Sequence, residues 1–164
     1  VAWSGKGLAL GAVDGAPSVR PSHPDADGDM TAAQRLSQIF GWVFIIVGLA
    51  GFAATGMDMT ADHTLAPKLF GIFPVNVVHN IVHLLFGVWG VLAARSYGGA
   101  RGYLIGAGLA YLVLAALGYI VPDGLGLVPL GGADIGLHLF LGLALVLSGL
   151  VTTRRDTTTG ARAV

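Results

Sequence analysis

Cysteine is absent from the 164 residues. That excludes disulfides, thiolate metal sites and cysteine nucleophiles. Glutamate is absent too, so all nine acidic residues are Asp. Charge of either sign is scarce, at 11% of residues, where a soluble domain carries about a quarter. The formal net charge is zero, which removes any electrostatic case for a nucleic-acid partner. No Gly-rich loop follows a strand, so there is no phosphate cradle. The serines have no His/Asp partner at a plausible spacing, so nucleophilic catalysis has no support. The chain does not read as an enzyme.

What is present is apolar. Hydrophobic residues make up 54% of the chain, gathered in long blocks of the length that crosses about 30 Å of hydrocarbon. Four such blocks cover 36–56, 75–94, 102–121 and 133–151, none of them containing Lys or Arg. Continuous runs of this length without strict alternation mean helices. The expected fold class is all-α, a four-transmembrane-helix bundle spanning 35–152. Residues 1–34 read as a disordered N-terminal tail, with 153–164 as a cytoplasmic C-terminal tail. Residues 1–29 have a second reading, as sequence upstream of a start at Met30. The Ala-, Gly-, Val- and Leu-rich composition, with Arg above Lys, points to a bacterial source.

Positive residues set the orientation. Lys6, Arg20 and Arg35 precede the first span, Arg95 and Arg101 separate the second and third, and Arg154, Arg155 and Arg162 follow the fourth. The other two loops hold only Lys68. Both termini are therefore expected in the cytoplasm and the protein in the inner or plasma membrane. Tyr97 and Tyr103 suit the cytoplasmic headgroup layer, and Phe70, Phe73 and Tyr119 the outer one.

The chain also repeats itself. G-I-F-P-V-N-V-V-H-N-I-V-H-L-L-F-G from Gly71 aligns without gaps on G-L-V-P-L-G-G-A-D-I-G-L-H-L-F-L-G from Gly126. Gly71, Pro74, His83, Leu84 and Gly87 match Gly126, Pro129, His138, Leu139 and Gly142; more weakly, Gly41 falls on Gly108 and Gly51 on Gly118. This implies two parallel-repeated helical hairpins, related by an axis along the membrane normal. Pro74 and Pro129 suit a position just ahead of a helix. Gly87, Gly142 and the Gly102/Gly106 pair suit close helix approach, and Asp134 suits capping at the start of the fourth span.

Polar residues inside the spans are few, and normally face the bundle interior with a partner. His79 and His83 share one helical face, as do Asp134 and His138. His83 and His138 lie at matching depth, roughly 12 Å inside the outer helix ends. The candidate cluster is His79, Asn80, His83, Asp134 and His138. The H-N-x-x-H of His79, Asn80 and His83, with the D-x-x-x-H of Asp134 and His138, resembles the bacterial four-helix membrane proteins of domain of unknown function 4383, over about 34–151. The resemblance implies a fold and a location. In that family Asn commonly follows the Asp, whereas Ile135 stands here.

Three readings of the cluster stay open. In the leading one the protein is structural or accessory, binds no cofactor, and uses the cluster to fix helix pairing. In the second, His83, His138 and His79 hold a metal, or His83 and His138 are axial ligands of a b-type haem. In the third, His and Asp relay protons or pass a small solute. Expected partners are the lipid bilayer and a second copy or another membrane protein. Met57, Asp58, Met59, Asp62 and His63 in the first outer loop read as an ordinary polar loop before a copper site, and Trp89 reads as packing.

Overall fold

A computed structural model describes Val1 and residues 30–153. Residues 2–29 and 154–164 of the tails read from the sequence, with Lys6, Arg20, Arg154, Arg155 and Arg162, lie outside the described residues. Four helices follow in order: α1 (Ala32–Thr55), α2 (Val77–Ala93), α3 (Tyr97–Ile120) and α4 (Ala133–Val151). Residues 32–34, read as disordered tail, form the first turn of α1, because Thr31 and Gln34 cap it. The α1–α2 connection carries an antiparallel pair, β1 (Lys68–Leu69) and β2 (Phe73–Pro74), with Leu69 opposite Phe73. Three of the helices, α1, α3 and α4, are long and apolar enough to cross a membrane, while α2 is a shorter apolar helix of 17 residues.

Local caps explain where the helices depart from the apolar blocks. Thr31 accepts the Gln34 N–H while the Gln34 side chain accepts the Thr31 N–H. This capping box starts α1 four residues ahead of the apolar block. Ser96 accepts the Gly99 N–H and starts α3 at Tyr97, which places Arg101 inside the helix. The Tyr97 hydroxyl donates to the Thr152 carbonyl at 2.9 Å. Asn76 accepts the His79 N–H at 2.9 Å, so α2 begins at Val77. Pro74 sits in β2, two residues ahead of that cap. Asp134 does not cap α4 either: the N-cap is Gly132, and no side chain bonds there.

α1 packs most extensively on α2, and α3 on α4, with smaller α1–α3 and α2–α3 contacts. Each pair closes on glycine. A Cβ on Gly41 would lie 2.6 Å from the Val91 nitrogen and 2.9 Å from the Gly87 carbonyl oxygen. A Cβ on Gly108 would lie 2.7 Å from the Val146 nitrogen and 2.9 Å from the Gly142 oxygen. Gly102, expected at a close approach, faces open space, while Gly106 backs onto the Trp89 ring. Between the pairs lies a core of Phe44, Tyr103, Leu104, Ala107, Tyr111 and Leu145. Tyr103 is fully buried against Trp89. The outward faces carry Ile39, Trp42, Ile46 and Leu49 on α1 and Phe140, Leu143, Leu147 and Leu150 on α4, a surface suited to hydrocarbon.

Candidate functional site

The Asn76 cap sets the rotation of α2, and with it which residues point inward. His79 and His83 then face α4, whose inward face carries Asp134 and His138; all four are buried. The His79 and His83 rings lie parallel, with centroids 4.9 Å apart and Nε2 atoms at 3.1 Å. One ring therefore donates to the other through Nε2. His79 also stacks on His138, at 5.9 Å between centroids. Its Nδ1 is 3.6 Å from Asp134 Oδ2, too long for a hydrogen bond. His79, Asp134 and His138 each offer a ligating atom, all within 4.8 Å of one another.

Most of the polar capacity in this cluster is unspent. Nδ1 of His79, His83 and His138 and Oδ2 of Asp134 are buried without a hydrogen-bond partner. The Pro129 carbonyl lies beside the His79 ring and the Asp134 carbonyl beside that of His138, but neither makes hydrogen-bond geometry with Nδ1. Each orphaned buried group costs about 1–3 kcal/mol. Cross-helix pairing falls to other residues. Ser37 donates to the Gly90 carbonyl at 2.7 Å and Gln34 to the Ala94 carbonyl at the end of α2, while Asn76 ties α2 to the loops through the Leu127 and Thr60 carbonyls. Asn80, grouped with the cluster from sequence, points away toward α1, donating to Thr55 Oγ1 and packing on Gly51. His83, first among the metal candidates, lies behind His79 and outside the tight three-residue group.

Aromatic rings floor the cluster. Phe44 contacts His83 at 5.7 Å and Tyr111 contacts His138 at 5.1 Å, while Phe44 and Tyr111 stack on each other at 5.2 Å. Tyr111 went unnoticed in the sequence; it falls on Phe44 when α3 is laid over α1 in the register that matches Gly41 with Gly108. Two small cavities flank the cluster. One, of about 50 Å³, is lined by His79, His83, Tyr111, Val128 and His138; the other, of about 100 Å³, by Val47, Phe70, Val75, His79 and Asp134. Both are of a size for a few water molecules or a small ion, and neither approaches the 300 Å³ or more of an organic cofactor pocket.

The first long connection holds a separate polar group. His63 Nδ1 lies 2.7 Å from Asp123 Oδ1, which also accepts the His63 N–H at 3.0 Å. These bonds, the ring first, hold the Asp123 carboxyl below the usual carboxylate range. Asp62 is held low as well, by the Thr64 hydroxyl and then the Thr64 N–H. Its carboxylate is spent on the turn 62–65. Met57 and Met59 are exposed.

Fold and site together define a helical, membrane-type protein with a buried His/Asp cluster between two helix pairs. The profile of the domain of unknown function DUF4383 matches residues 34–151, and the chain belongs to that family. Comparison with curated proteins and with solved structures gives no match.

Proposed function

We propose that this protein is a four-span binding protein of the plasma or inner membrane, not an enzyme, which holds one transition-metal ion through His79, Asp134 and His138. One observation carries the reading: His79, Asp134 and His138, from two helices, bring ligating atoms within 4.8 Å of one another, and each keeps a buried polar atom with no hydrogen bond to protein. An ion would use them. Tetrahedral ligands about 2.1 Å from Zn²⁺ lie about 3.4 Å apart, against the 3.6 Å between His79 Nδ1 and Asp134 Oδ2. Imidazole with one carboxylate suits Zn, Fe or Cu. If His79 donates to His83 through Nε2, its Nδ1 carries a free lone pair, and His83 fixes the tautomer as an outer partner of a ligating histidine does.

The pairing role read first from the sequence has less to work with. The histidines bond each other within α2, and of the cluster only Asn80 donates to another helix, to Thr55 on α1; the other bonds between neighbouring helices come from Gln34, Ser37 and Tyr97. A b-type haem between His83 and His138 has no room beside the stacked His79 ring.

For the architecture we infer two parallel repeats with both termini in the cytoplasm. Matched features support this. The Gly41–Gly87 and Gly108–Gly142 approaches are equivalent, as are the Phe44–His83 and Tyr111–His138 ring contacts. At 17 residues α2 is at the lower limit for a span, and the same-side Arg35, Arg95 and Arg101 fit the positive-inside rule.

The test is metal uptake by protein purified in mild detergent, stripped with chelator and titrated with Zn²⁺ or Co²⁺. Wild type is expected to take up one equivalent per chain. His138→Ala and Asp134→Ala should each lose it, and His83→Ala should bind 10–100-fold more weakly. Asn80→Ala should match wild type. Stripped wild type that binds no more tightly than His138→Ala sinks the proposal and returns the cluster to a pairing role.

A further inference from the structure

The two long connections share an unusual turn. Phe70 (φ 55°) and Leu125 (φ 59°) are the non-glycine residues with positive φ among the described residues, and each precedes a glycine of positive φ, Gly71 or Gly126. The surrounding bonds repeat as well. Gly71 N–H and Ile72 N–H donate to the Lys68 and Leu69 carbonyls at 3.2 and 3.1 Å; Gly126 N–H and Leu127 N–H donate to those of Asp123 and Gly124 at 2.8 and 3.2 Å. Each loop is then closed at its base, Val75 N–H to the Pro67 carbonyl and Leu130 N–H to the Pro122 carbonyl.

A left-handed conformation costs an ordinary L-residue about 1–2 kcal/mol. Asn or Gly would avoid the cost at a turn, yet both tips carry a large apolar side chain. Neither chain segment recovers the cost by burying that side chain, since Phe70 is 76% exposed and Leu125 is 83% exposed. Their surroundings are informative. Phe70 shares a cavity wall with Val47, eight residues back from the end of α1, and Leu125 shares one with Leu114, six residues back from the end of α3. The tips therefore lie beside helix faces that are themselves apolar, Phe70 near Val47 and Leu137, Leu125 near Leu114 and Leu117. Ile72 and Leu127, two residues beyond each tip, are exposed too.

We propose that both loops are re-entrant wedges whose tips, Phe70 and Leu125, sit among the acyl chains of the leaflet at that end of the bundle. Lipid is the occupant that fits, because exposed apolar side chains at both tips adjoin the apolar residues Val47 of α1 and Leu114 and Leu117 of α3. The wedges also stand between lipid and the His/Asp cluster: Phe70, Phe73 and Val75 wall one flanking cavity, and Val128 and Leu130 wall the other. This inference is independent of whether a metal binds.

The absence of cysteine makes the test direct. Single variants Phe70→Cys and Leu125→Cys, with Thr64→Cys as an exposed loop reference, are labelled with an environment-sensitive fluorophore and reconstituted into phosphatidylcholine/phosphatidylglycerol vesicles. Labels at 70 and 125 are expected to be blue-shifted, strongly quenched by lipids carrying a nitroxide near the headgroup, and at least fivefold less quenched by aqueous iodide than the label at 64. Iodide quenching at 70 and 125 equal to that at 64 would overturn the proposal and make the tips a water-facing surface for a protein partner. Phe70→Trp and Leu125→Trp keep the apolar bulk, and their quenching by brominated lipid, read against wild type, decides the question if the labelled variants do not fold.

Discussion

The α1/α2 and α3/α4 pairs share a backbone plan but differ in what fills the seam near the cluster. In the first pair the seam is polar: Asn80 reaches Thr55 over Gly51, and Ser37 bonds the Gly90 carbonyl. In the second the corresponding places hold Ile135, packed beside Gly118, and the buried Leu104 and Leu145. The cap differs as well, with Asn76 bonded to the His79 N–H in one and Gly132 without a side-chain bond in the other. The glycine approaches are alike in the two pairs, while the polar groups differ. This separates two jobs. Glycine sets how near the helices come, a steric requirement that no other side chain meets. Asn and Ser only add bonds to contacts already made, so Ile and Leu replace them by packing.

The largest effect expected from this comparison is at the glycines, and it should be the same on both sides. Gly41→Ala and Gly108→Ala each drive a methyl into the backbone of the facing helix. Overpacking of this kind costs about 1–3 kcal/mol. Unfolding in mild detergent with added denaturing detergent measures both, and a difference beyond experimental error between them would break the equivalence of the two seams. Next come the seam fillers, where the pairs should respond differently. Ile135→Asn puts an amide into a seam that lacks a Thr55 equivalent, at about 1–3 kcal/mol for an unsatisfied buried group. Asn80→Ala should cost about 0.6 kcal/mol, the usual value of a hydrogen bond inside a membrane bundle. Ser37→Ala should cost about as much. Equal losses for Ile135→Asn and Asn80→Ala would mean that the second seam already accommodates polar groups.

Much of this was legible in the sequence for the same reason that the glycines are alike. Long apolar runs and small residues at helical spacing report constraints imposed by lipid and by backbone contact, so the four helices, the end of α1 and the whole of α4 could be placed. The helix starts at Ala32, Val77 and Tyr97 were misplaced because caps set them: Thr31, Asn76 and Ser96 lie outside or at the edge of the apolar blocks. The repeat could have been carried further upstream, since Pro67 and Pro122 occupy matching places and accept matching bonds. The histidines and Asp134 were legible as an inward-facing group, but two assignments within it were not. Adjacent residues on a helix point about 100° apart, and Asn80 follows His79, so the two face different helices. Which of two inward histidines comes nearest a third helix depends on the packing of α4, and that put His79 ahead of His83.

The smallest effect expected is where the two halves are tied directly, at His63 and Asp123. Both lie in the loops, so the tie should govern loop order and leave the helices alone. The sign of its pH dependence follows from the lowered Asp123 value. A carboxyl held below its ordinary range, about 3.9, stabilises the fold fully above that range and loses the contribution as pH falls through the lowered value. The carboxylate side of the tie is therefore constant from pH 7 to pH 5 and is lost only in more acidic solution. Asp123→Asn keeps the shape and removes the charge at every pH. Amide exchange across residues 60–66 should speed up in Asp123→Asn relative to wild type at pH 6, and the two should converge once wild type is taken well below pH 4. The helices should exchange alike throughout. Faster exchange in α2 or α4 of the variant would mean that the tie holds the bundle together, which the separate glycine seams make unnecessary.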